Sequence, residues 1–578
     1  MQRLLYLIGL IGFFSIVACS STSEETTPTN PNIDTDTSPN EETNNLSQAS
    51  LLDASLLVSQ STFGGDFNLI KTIADKGLST WIDEQMQLAP QYHMPDVNQF
   101  LQTYGDDFDE ATEIEIEGES LQNPGMWRRY VWWHHTLSAP DILRQRVAFA
   151  LSQIFVVSER VGILGENPAA LPTYYDVLLK NAFGNFRDLL TDITFSPAMG
   201  VYLSHFNNQQ VDVSKGTFPD ENYAREIMQL FTIGLYELND DGSQKIDAAG
   251  NPIPTYNNAD ITAFARVFTG FITAEMLEPD FAVDAEDELL PDFSVPMILN
   301  DSVHDTGEKQ LLNGVILPAG QTAVQDITGA LDNLFRHPNV GPFISRLLIQ
   351  RLITSNPTPE YIARISTVFN NNGNNIRGDM AAVIKAILLD PEARQLNNAS
   401  PEYFGKLRQP LVRYVQMLKG LGLDSTDNTF YATGLMVQET TKQHALAAPS
   451  VFNFFSPNYS PIGEITTQGL VAPEFELSTS NTLITYINHI AWTLFEGEIF
   501  DQPRNSGTIT IARQNWQTLM DDPQKLLDRL NIVLANGQLS NNSQQIILTT
   551  LTSLEDLPTR FNAAIYLIMT SPDFLARI

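Results

Sequence analysis

The chain has 578 residues, and its 68 Asp and Glu outnumber its 33 Lys and Arg, which gives a formal net charge of −35 at pH 7. This balance argues against nucleic acid as a partner, because binding to phosphates needs clustered Lys and Arg, and it disfavours adsorption onto anionic lipid. The single cysteine, Cys19, can form no internal disulfide, so the core must be stable without one. The acidity fits either a salty environment or calcium binding, and the composition does not separate the two.

The N-terminus has the features of an export signal. Arg3 precedes an apolar run, residues 4–17, that is too short to span a bilayer as a stable helix. The sequence Ile-Val-Ala-Cys ending at Cys19 resembles the lipobox of bacterial lipoproteins. The resemblance implies a signal peptide over residues 1–18 and acylation of Cys19. The alternative is an ordinary secretory signal in which Cys19 is incidental.

Two consequences follow if Cys19 is acylated. Cysteine nucleophiles, zinc–thiolate sites and iron–sulfur clusters are excluded, because Cys19 is the only cysteine. The protein is then held on a membrane through its lipid. Ser20, where an Asp would favour retention in the inner membrane, implies an outer-membrane lipoprotein on either the periplasmic or the cell-surface face.

Residues 19–48 are predicted to form a flexible acidic tether. They are rich in Ser, Thr, Asn and Pro and contain no Lys or Arg. Such a segment cannot bury enough apolar surface to offset the entropy of ordering it. The body that follows, residues 49–578, is predicted to be one large domain with room for two lobes. We expect it to be mainly α-helical with minor β hairpins.

Helical periodicity begins at once in this body. Residues 51–88 alternate apolar and polar at helical spacing, with a break at Gly64-Gly65, and residues 106–119 predict an exposed acidic loop. A long helix is predicted over residues 141–157, where Ala-Pro-Asp signals its start. The aromatic run before it contains His134 and His135, which diverge by about 100° on a helix and cannot easily bind one ion together. Core packing is the favoured role of this run, and an aromatic groove for sugar rings is the alternative.

Three apolar helices are each followed by a Ser or Asp and then a Pro. The Ser or Asp residues are Ser196, Asp390 and Ser571. The residue before a proline avoids the helical conformation, and Ser or Asp can cap a following helix that has Pro in its first turn. The pattern therefore predicts sharp corners between stacked helices.

A polar helix is predicted at the centre of the chain, over residues 220–234. At 100° per residue, Asn222, Arg225, Glu226 and Gln229 share an arc of about 100°. Apolar side chains fill the opposite side. Such a polar face is suited either to chemistry or to joining two helices.

The chain after this helix changes character. Residues 239–254 contain Asn-Asp-Asp-Gly and Gly-Asn-Pro, which predict a hairpin or a long loop. The oxygen-rich start of this stretch lacks the twelve-residue calcium loop, so a plain turn is favoured over a calcium site. Residues 260–271 predict another helix, and residues 275–320 predict short strands.

A set of motifs occurs in a fixed order through this region. They are Asn-Tyr-Ala-Arg-Glu (222–226), Gly234, Tyr256 with Asp260, Ala-Arg-Val-Phe-Thr-Gly-Phe (265–271), His-Asp-Thr-Gly-Glu-Lys (304–309) and the terminal Ser-Pro-Asp-Phe. As a set, from about Ser50 to the C-terminus, they resemble the bacterial family catalogued as domain of unknown function 1800. The resemblance implies an exported, largely helical protein without an assigned activity. It also implies a sulfatase-like exported partner, because the two families often occur together.

One departure from the family pattern affects metal binding. Other branches carry His-Asn-His where this chain has Ser152-Gln153-Ile154, and Glu and His where it has Gln229 and Phe231. Imidazole and carboxylate at helical spacing can converge on a cation. Because those ligands are absent, no metal site is expected here, and the cofactors stay unknown.

Glu226 and Arg225 are the first candidates for chemistry. In a polar pocket, Glu226 could act as a ligand or general base whose pKa is tuned by burial. The favoured alternative is a structural ion pair that clamps two helices, with Arg266 as the partner of Glu226.

His304, Asp305 and Lys309 are the second candidates. The loop could present an imidazole to a substrate, or Asp305 could bind a cation; a capped turn around Asp305 is an equal rival. The sequence has no Gly-x-Ser-x-Gly, phosphate loop or His-Glu-x-x-His.

Two hypotheses for the function remain. The first is a lipid-anchored binding or scaffold protein that works with an exported partner. The second is a hydrolase of extracellular or envelope polymers that uses Glu226 or His304 as acid or base. Whether Asn222, Arg225, Glu226, His304 and Lys309 meet in one open pocket discriminates between them.

Overall fold

A computed structural model describes residues 48–104, 115–116, 119–120, 124–278, 289–394, 403–431, 437, 440–496 and 508–577. The predicted signal peptide, Cys19 and nearly all of the predicted tether lie outside these ranges. Most of the predicted loop at 106–119 does so too. The fold is mainly α-helical with small two-stranded sheets, which confirms the predicted class.

The first part of the body is a succession of helices. They are α1 (Gln48–Ser61), α2 (Phe67–Lys76), α3 (Leu78–Gln87), α4 (Met94–Tyr104), α5 (Pro124–Ser138), α6 (Ile142–Ser152), α7 (Gly162–Glu166), α8 (Ala170–Asn181), α9 (Phe186–Thr194) and α10 (Pro197–Tyr202). The break predicted at Gly64-Gly65 separates α1 from α2. The helix predicted over 141–157 is shorter than expected, since it ends at Ser152.

The central part alternates helices with short strands. The helices are α11 (Asn222–Gln229), α12 (Asn258–Val267), α13 (Ala323–Arg336), α14 (Val340–Leu352), α15 (Pro359–Asn370) and α16 (Met380–Leu389). Where a hairpin or long loop was predicted after residue 239, the chain forms a series of isolated β-bridges. They include Leu238 with Gln244 and Ile246 with Pro252.

The last part is again helical. Its helices are α17 (Pro410–Leu421), α18 (Glu464–Thr467), α19 (Ser480–Phe495), α20 (Gln517–Met520), α21 (Pro523–Ala535), α22 (Asn541–Thr552), α23 (Leu557–Met569) and α24 (Pro572–Leu575). Short 3₁₀ turns lie at Ala274–Leu277, Leu312–Gly314, Pro391–Arg394, Pro473–Glu476 and Arg513–Trp516.

The strands form antiparallel pairs. They are β1 (Glu115–Ile116) with β2 (Glu119–Ser120), β3 (Phe271–Ile272) with β4 (Ile298–Leu299), β5 (Lys309–Gln310) with β6 (Ile316–Leu317), β7 (Lys406–Leu407) with β10 (Ala576–Arg577), and β8 (Leu423–Ser425) with β9 (Ile509–Ile511). The pair β5–β6 and strand β4 lie in the region 275–320 where short strands were predicted, while β3 lies just before it.

The corners predicted at the proline joints are present. Helix α9 ends at Thr194 and α10 begins at Pro197, while α16 ends at Leu389 before the turn at Pro391. At the last joint the Ser571 hydroxyl accepts a hydrogen bond from the Phe574 amide at 3.2 Å. Ser196 departs from the prediction, because its side chain makes no capping hydrogen bond.

Two central helices are shorter than their apolar patterns predict. Helix α11 ends at Gln229, and the next residues turn until the Gly234 amide donates to the Met228 carbonyl at 3.0 Å. Helix α12 ends at Val267, and Phe271 pairs with Leu299 in β3–β4 instead of continuing the helix. Both ends bring polar residues of the following turns against the helices.

A large apolar cluster runs through the molecule from Ala54 on α1 to Phe574 on α24. The first and last parts of the described body meet in it, because the Asn536 side-chain amide donates to the Ser55 carbonyl at 2.9 Å. Within the described ranges, the helices are too short or too polar to cross a membrane.

Candidate functional site

The loop that contains His304 and Asp305 runs between β4 and β5 and faces inward. The His304 side chain is 0% exposed. Its Nε2 lies 3.0 Å from Asp326 Oδ2, and its Nδ1 lies 2.9 Å from the Thr269 carbonyl oxygen. Both ring nitrogens are therefore engaged by oxygen atoms of the protein.

Lys309, at the other end of the same motif, is also fully enclosed. Its side chain is 0% exposed, and its Nζ donates to Asp326 Oδ2 at 2.6 Å and to the Gly307 carbonyl at 3.0 Å. It donates to the Asp305 carbonyl as well. The ammonium group thus uses its donors on one carboxylate and two backbone carbonyls.

Arg266 closes the arrangement from helix α12. Its Nε and Nη2 donate to the two oxygens of Asp305 at 2.9 and 2.8 Å, a bidentate pair. Arg266 Nη1 also donates to the Glu308 carbonyl at 3.0 Å. Gly307 allows this approach, since a Cβ atom there would lie 2.4 Å from Arg266 Nη2.

Asp326 is the residue that joins these parts, and the sequence motifs did not point to it. It lies in the first turn of α13, which begins with a capping box of Thr322 and Gln325. Burial alone would raise the pKa of the Asp326 carboxyl, but hydrogen bonds from His304 and Lys309 outweigh it and hold the pKa below 3.8. We call Arg266, Thr269, His304, Asp305, Lys309 and Asp326 the His304 network.

Asp305 is stabilised in the same way. Burial acts to raise its pKa, but the bond from Arg266 and the Gly307 amide, which donates at 2.9 Å, lower it by more. The loop is thus both a capped turn around Asp305, as one of the two predictions had it, and part of an ionic network.

Glu226 does not belong to this network. Arg266 is committed to Asp305, so the predicted ion pair between Glu226 and Arg266 is wrong. Arg225 pairs instead with Glu221, the residue just before its helix, at 3.3 Å, and both side chains are more than two-fifths exposed. Asn222 is exposed at the start of α11.

Glu226 itself is a buried carboxyl group with few partners. It is 6% exposed, and its Oε2 has no hydrogen-bond partner among the described residues. Burial raises its pKa above 4.5, and the nearby Arg225 only partly offsets this. The predicted set therefore divides in two: His304, Asp305, Lys309 and Arg266 meet, while Glu226 is separate.

A family model described as protein of unknown function (DUF1800) matches residues 56–576. The chain belongs to this family. No match was found among curated proteins or among solved structures. The match spans the described helical body, including the His304 network, and so supports the resemblance drawn from the ordered motifs.

Three of the positions at which the resemblance implied a departure from other branches, Gln153, Gln229 and Phe231, carry hydrogen-bonded amides and a packed ring. Gln153 exchanges hydrogen bonds with Gln409 at 2.7 and 3.1 Å, and Gln229 accepts one from the Tyr256 hydroxyl at 3.2 Å. Phe231 packs against Phe155 with ring centroids 5.3 Å apart. Across the residues that the structure describes, no group of three or more His, Cys, Asp or Glu is placed to hold a metal ion.

The paired histidines point to different neighbours. His135 Nε2 lies 2.8 Å from Asp96 Oδ2, and its ring stacks on His93 at 4.7 Å. His134 instead faces Tyr431, at 4.9 Å between ring centroids. This divergence agrees with the helical geometry predicted for them, and the adjacent Trp132 and Trp133 are buried in the core.

The stretch after Asn239 has the geometry of a turn. Asp241 Oδ1 accepts the Ser243 amide at 2.9 Å and the Ser243 hydroxyl at 2.5 Å. The carboxylate is thus used on neighbouring donors of its own turn, as the favoured prediction expected.

Proposed function

We propose that this protein is a lipid-anchored binding or scaffold protein of the bacterial envelope, held on the outer membrane by acylated Cys19. In this role it works with an exported, sulfatase-like partner protein. The proposal is supported above all by the His304 network. The most distinctive motif of the chain directs its imidazole, ammonium and carboxylate groups at one another, and the His304 and Lys309 side chains are 0% exposed.

The distribution of charge is compatible with a role in protein binding. Among the described residues, ten Lys and Arg are buried but only six Asp and Glu. Since the whole chain has a net charge of −35, the residues outside this buried set carry a formal −39. An excess of negative charge outside the buried set keeps a protein soluble and favours partners with a basic face.

The membrane anchor is tested by Cys19→Ala in the full-length chain. We expect the wild-type protein to enter the detergent phase on phase partition and the variant to stay in the aqueous phase, because the acyl chains supply the membrane affinity. Ser20→Ala is the matched control and should partition as the wild type does. Equal partition of the wild type and Cys19→Ala would exclude the lipid anchor.

The partner is tested by cross-linking the native protein in membranes and recovering it under denaturing conditions. We expect an exported sulfatase-like protein to be enriched with the wild type and lost with Cys19→Ala, which cannot hold the body at the membrane. Recovery of the same proteins from both strains would count against a dedicated partner.

A second candidate function, hydrolysis of an envelope polymer, rests on Glu226 alone. The Glu226 carboxyl is buried, its Oε2 has no partner among the described residues, and its pKa is raised. These are the properties of a general acid. His304 loses this role, because both of its nitrogens are engaged and its side chain is enclosed.

Glu226→Gln separates the two functions. Because the folded-state pKa of Glu226 is raised, its ionisation costs stability: the cost is absent below the ordinary value of 4.5 and complete above the raised pKa. We therefore expect Glu226→Gln to be as stable as the wild type or more stable at pH 7, in urea unfolding. A hydrolase would lose polymer cleavage in this folded variant, whereas a scaffold would keep its cross-linked partner.

A further inference from the structure

A second buried ionic site lies away from the His304 network, around Glu474. Glu474 is 1% exposed and lies in the 3₁₀ turn Pro473–Glu476. Its Oε1 accepts a hydrogen bond from Lys406 Nζ, which also donates to the Gln350 carbonyl at 2.5 Å. Two arginines whose charges interact with Glu474, Arg146 and Arg351, are 3% and 2% exposed. We call Arg146, Arg351 and Lys406 the basic chamber.

The chamber is assembled from three elements that meet at the end of α14. Arg146 on α6 donates through Nη2 to the Arg351 carbonyl at 2.8 Å. The Arg351 guanidinium lies over the Phe455 ring at 4.7 Å. Gln350 Nε2 donates to the Pro457 carbonyl at 3.1 Å, which ties the segment around Phe455 to the same helix end.

Positive charge exceeds negative charge in this chamber. Among the described residues, Glu474 is the one carboxylate whose charge acts on the three buried cations of the chamber, and it acts on a fourth, Arg577, as well. Burial lowers the pKa of Lys406 to about 8 and those of Arg146 and Arg351 to about 10, and in each case the field of Glu474 opposes the lowering. Burying an unbalanced charge is costly, so such a site favours an added anion.

Hydrogen-bonding capacity in the chamber is also unused. In both Arg146 and Arg351, the Nε and Nη1 atoms have no hydrogen-bond partner among the described residues. The Glu474 Oε2 atom also has none. Guanidinium groups match planar carboxylates through paired N–H donors. The chamber therefore contains fixed donors suited to a second carboxylate or to one that replaces Glu474.

Part of the segment that carries Glu474 packs in a small apolar cluster beside the main core. Phe454, Phe455 and Leu477 form a small cluster with Val156, Ala447 and Ala448. At the start of the segment, Lys442 and Leu446 have backbone φ values of 57°, which residues other than glycine rarely adopt. A small cluster of this kind costs less to displace than a helix of the main core, because it has fewer buried apolar contacts.

We propose that the basic chamber is a binding site for a small carboxylate, and that Glu474 is its built-in occupant in the state described here. A carboxylate ligand would take the place of the Glu474 side chain when the segment carrying it moves away. The inference is independent of the anchor and partner proposed above.

Chemical rescue of Glu474→Ala tests the proposal on the purified full-length chain. The variant should have a lowered melting temperature in chloride, and acetate at equal ionic strength should raise it by more than about 3 °C, increasing with the logarithm of acetate concentration. The wild type should change by less than about 1 °C in the same exchange. Glu476→Ala is the matched control, because Glu476 is an exposed glutamate two residues away that accepts the Ser456 amide at 2.8 Å.

A double variant tests whether the acetate effect depends on the chamber, and several results would overturn the proposal. Adding Arg351→Met to Glu474→Ala should abolish the acetate effect. If Glu474→Ala does not fold in chloride, its refolding yield in acetate replaces the melting temperature as the readout, and equal failure in both salts overturns the proposal. Equal melting temperatures in acetate and chloride also overturn it, and stronger stabilisation by sulfate or phosphate than by acetate would overturn the assignment to carboxylates.

Discussion

Replacing Asp326 by Asn is expected to lower the free energy of unfolding by about 3–5 kcal/mol at pH 7. The variant leaves Lys309 and His304, both 0% exposed, without the carboxylate that holds them. Because the folded-state pKa of Asp326 is lowered, its contribution is present above the ordinary value of 3.8 and is lost as pH falls through the folded pKa. Urea unfolding of the wild type and the variant at pH 7, and at pH values stepped down from about 4 to about 2, measures both effects.

Asp332→Asn provides the matched control on the same helix. Asp332 pairs with Arg187 at 2.8 Å and with Arg336 at 3.0 Å, but its side chain is 35% exposed. A pair of this kind contributes about 0–1 kcal/mol, so the control should lose far less than Asp326→Asn. Equal losses in the two variants would mean that the His304 network contributes nothing special to the fold.

Gly270→Ala is expected to cost about 1–2 kcal/mol through the backbone and about 1–3 kcal/mol more through crowding. Gly270 has a φ of 96°, and a Cβ atom there would lie 3.0 Å from the Asn300 carbonyl oxygen and 3.3 Å from His304 Cβ. The turn after α12 could not then hold the His304 loop at its present distance. Urea unfolding at pH 7 gives the difference.

Gly314→Ala separates the two causes of that loss. Gly314 also has a positive φ, 71°, but a Cβ atom there would have nothing within 4 Å. It should therefore show only the backbone cost. If both variants lose the same free energy, the close approach of Gly270 to the His304 loop is not what makes the glycine necessary.

Local signals predicted much of the fold. The proline joints at Asp390 and Ser571 were predictable because helix ends and caps depend on neighbours in sequence. The end of α12 at Val267 was not, since Phe271 is as apolar as a helical core residue. Its strand pairing with Leu299 arises from a partner 28 residues away.

The site was predicted only in part for a similar reason. The motif order brought His304, Asp305 and Lys309 together correctly, because they lie within six residues of each other. Asp326 was missed because it joins the group only through the packing of α13. The charge pattern on α11 suggested Arg266 as the partner of Glu226, but Arg266 forms a bidentate pair with Asp305 instead.

Whether the His304 network is closed to substrates is tested most directly by native-state modification of histidine with diethyl pyrocarbonate, followed by mass spectrometry. His304 should react more than about 100-fold more slowly in the native protein than in the urea-unfolded chain, because reaction requires local opening. His134, which is only partly buried, serves as the internal reference. Modification of His304 at the rate of His134 would contradict a structural network and return His304 to the catalytic candidates.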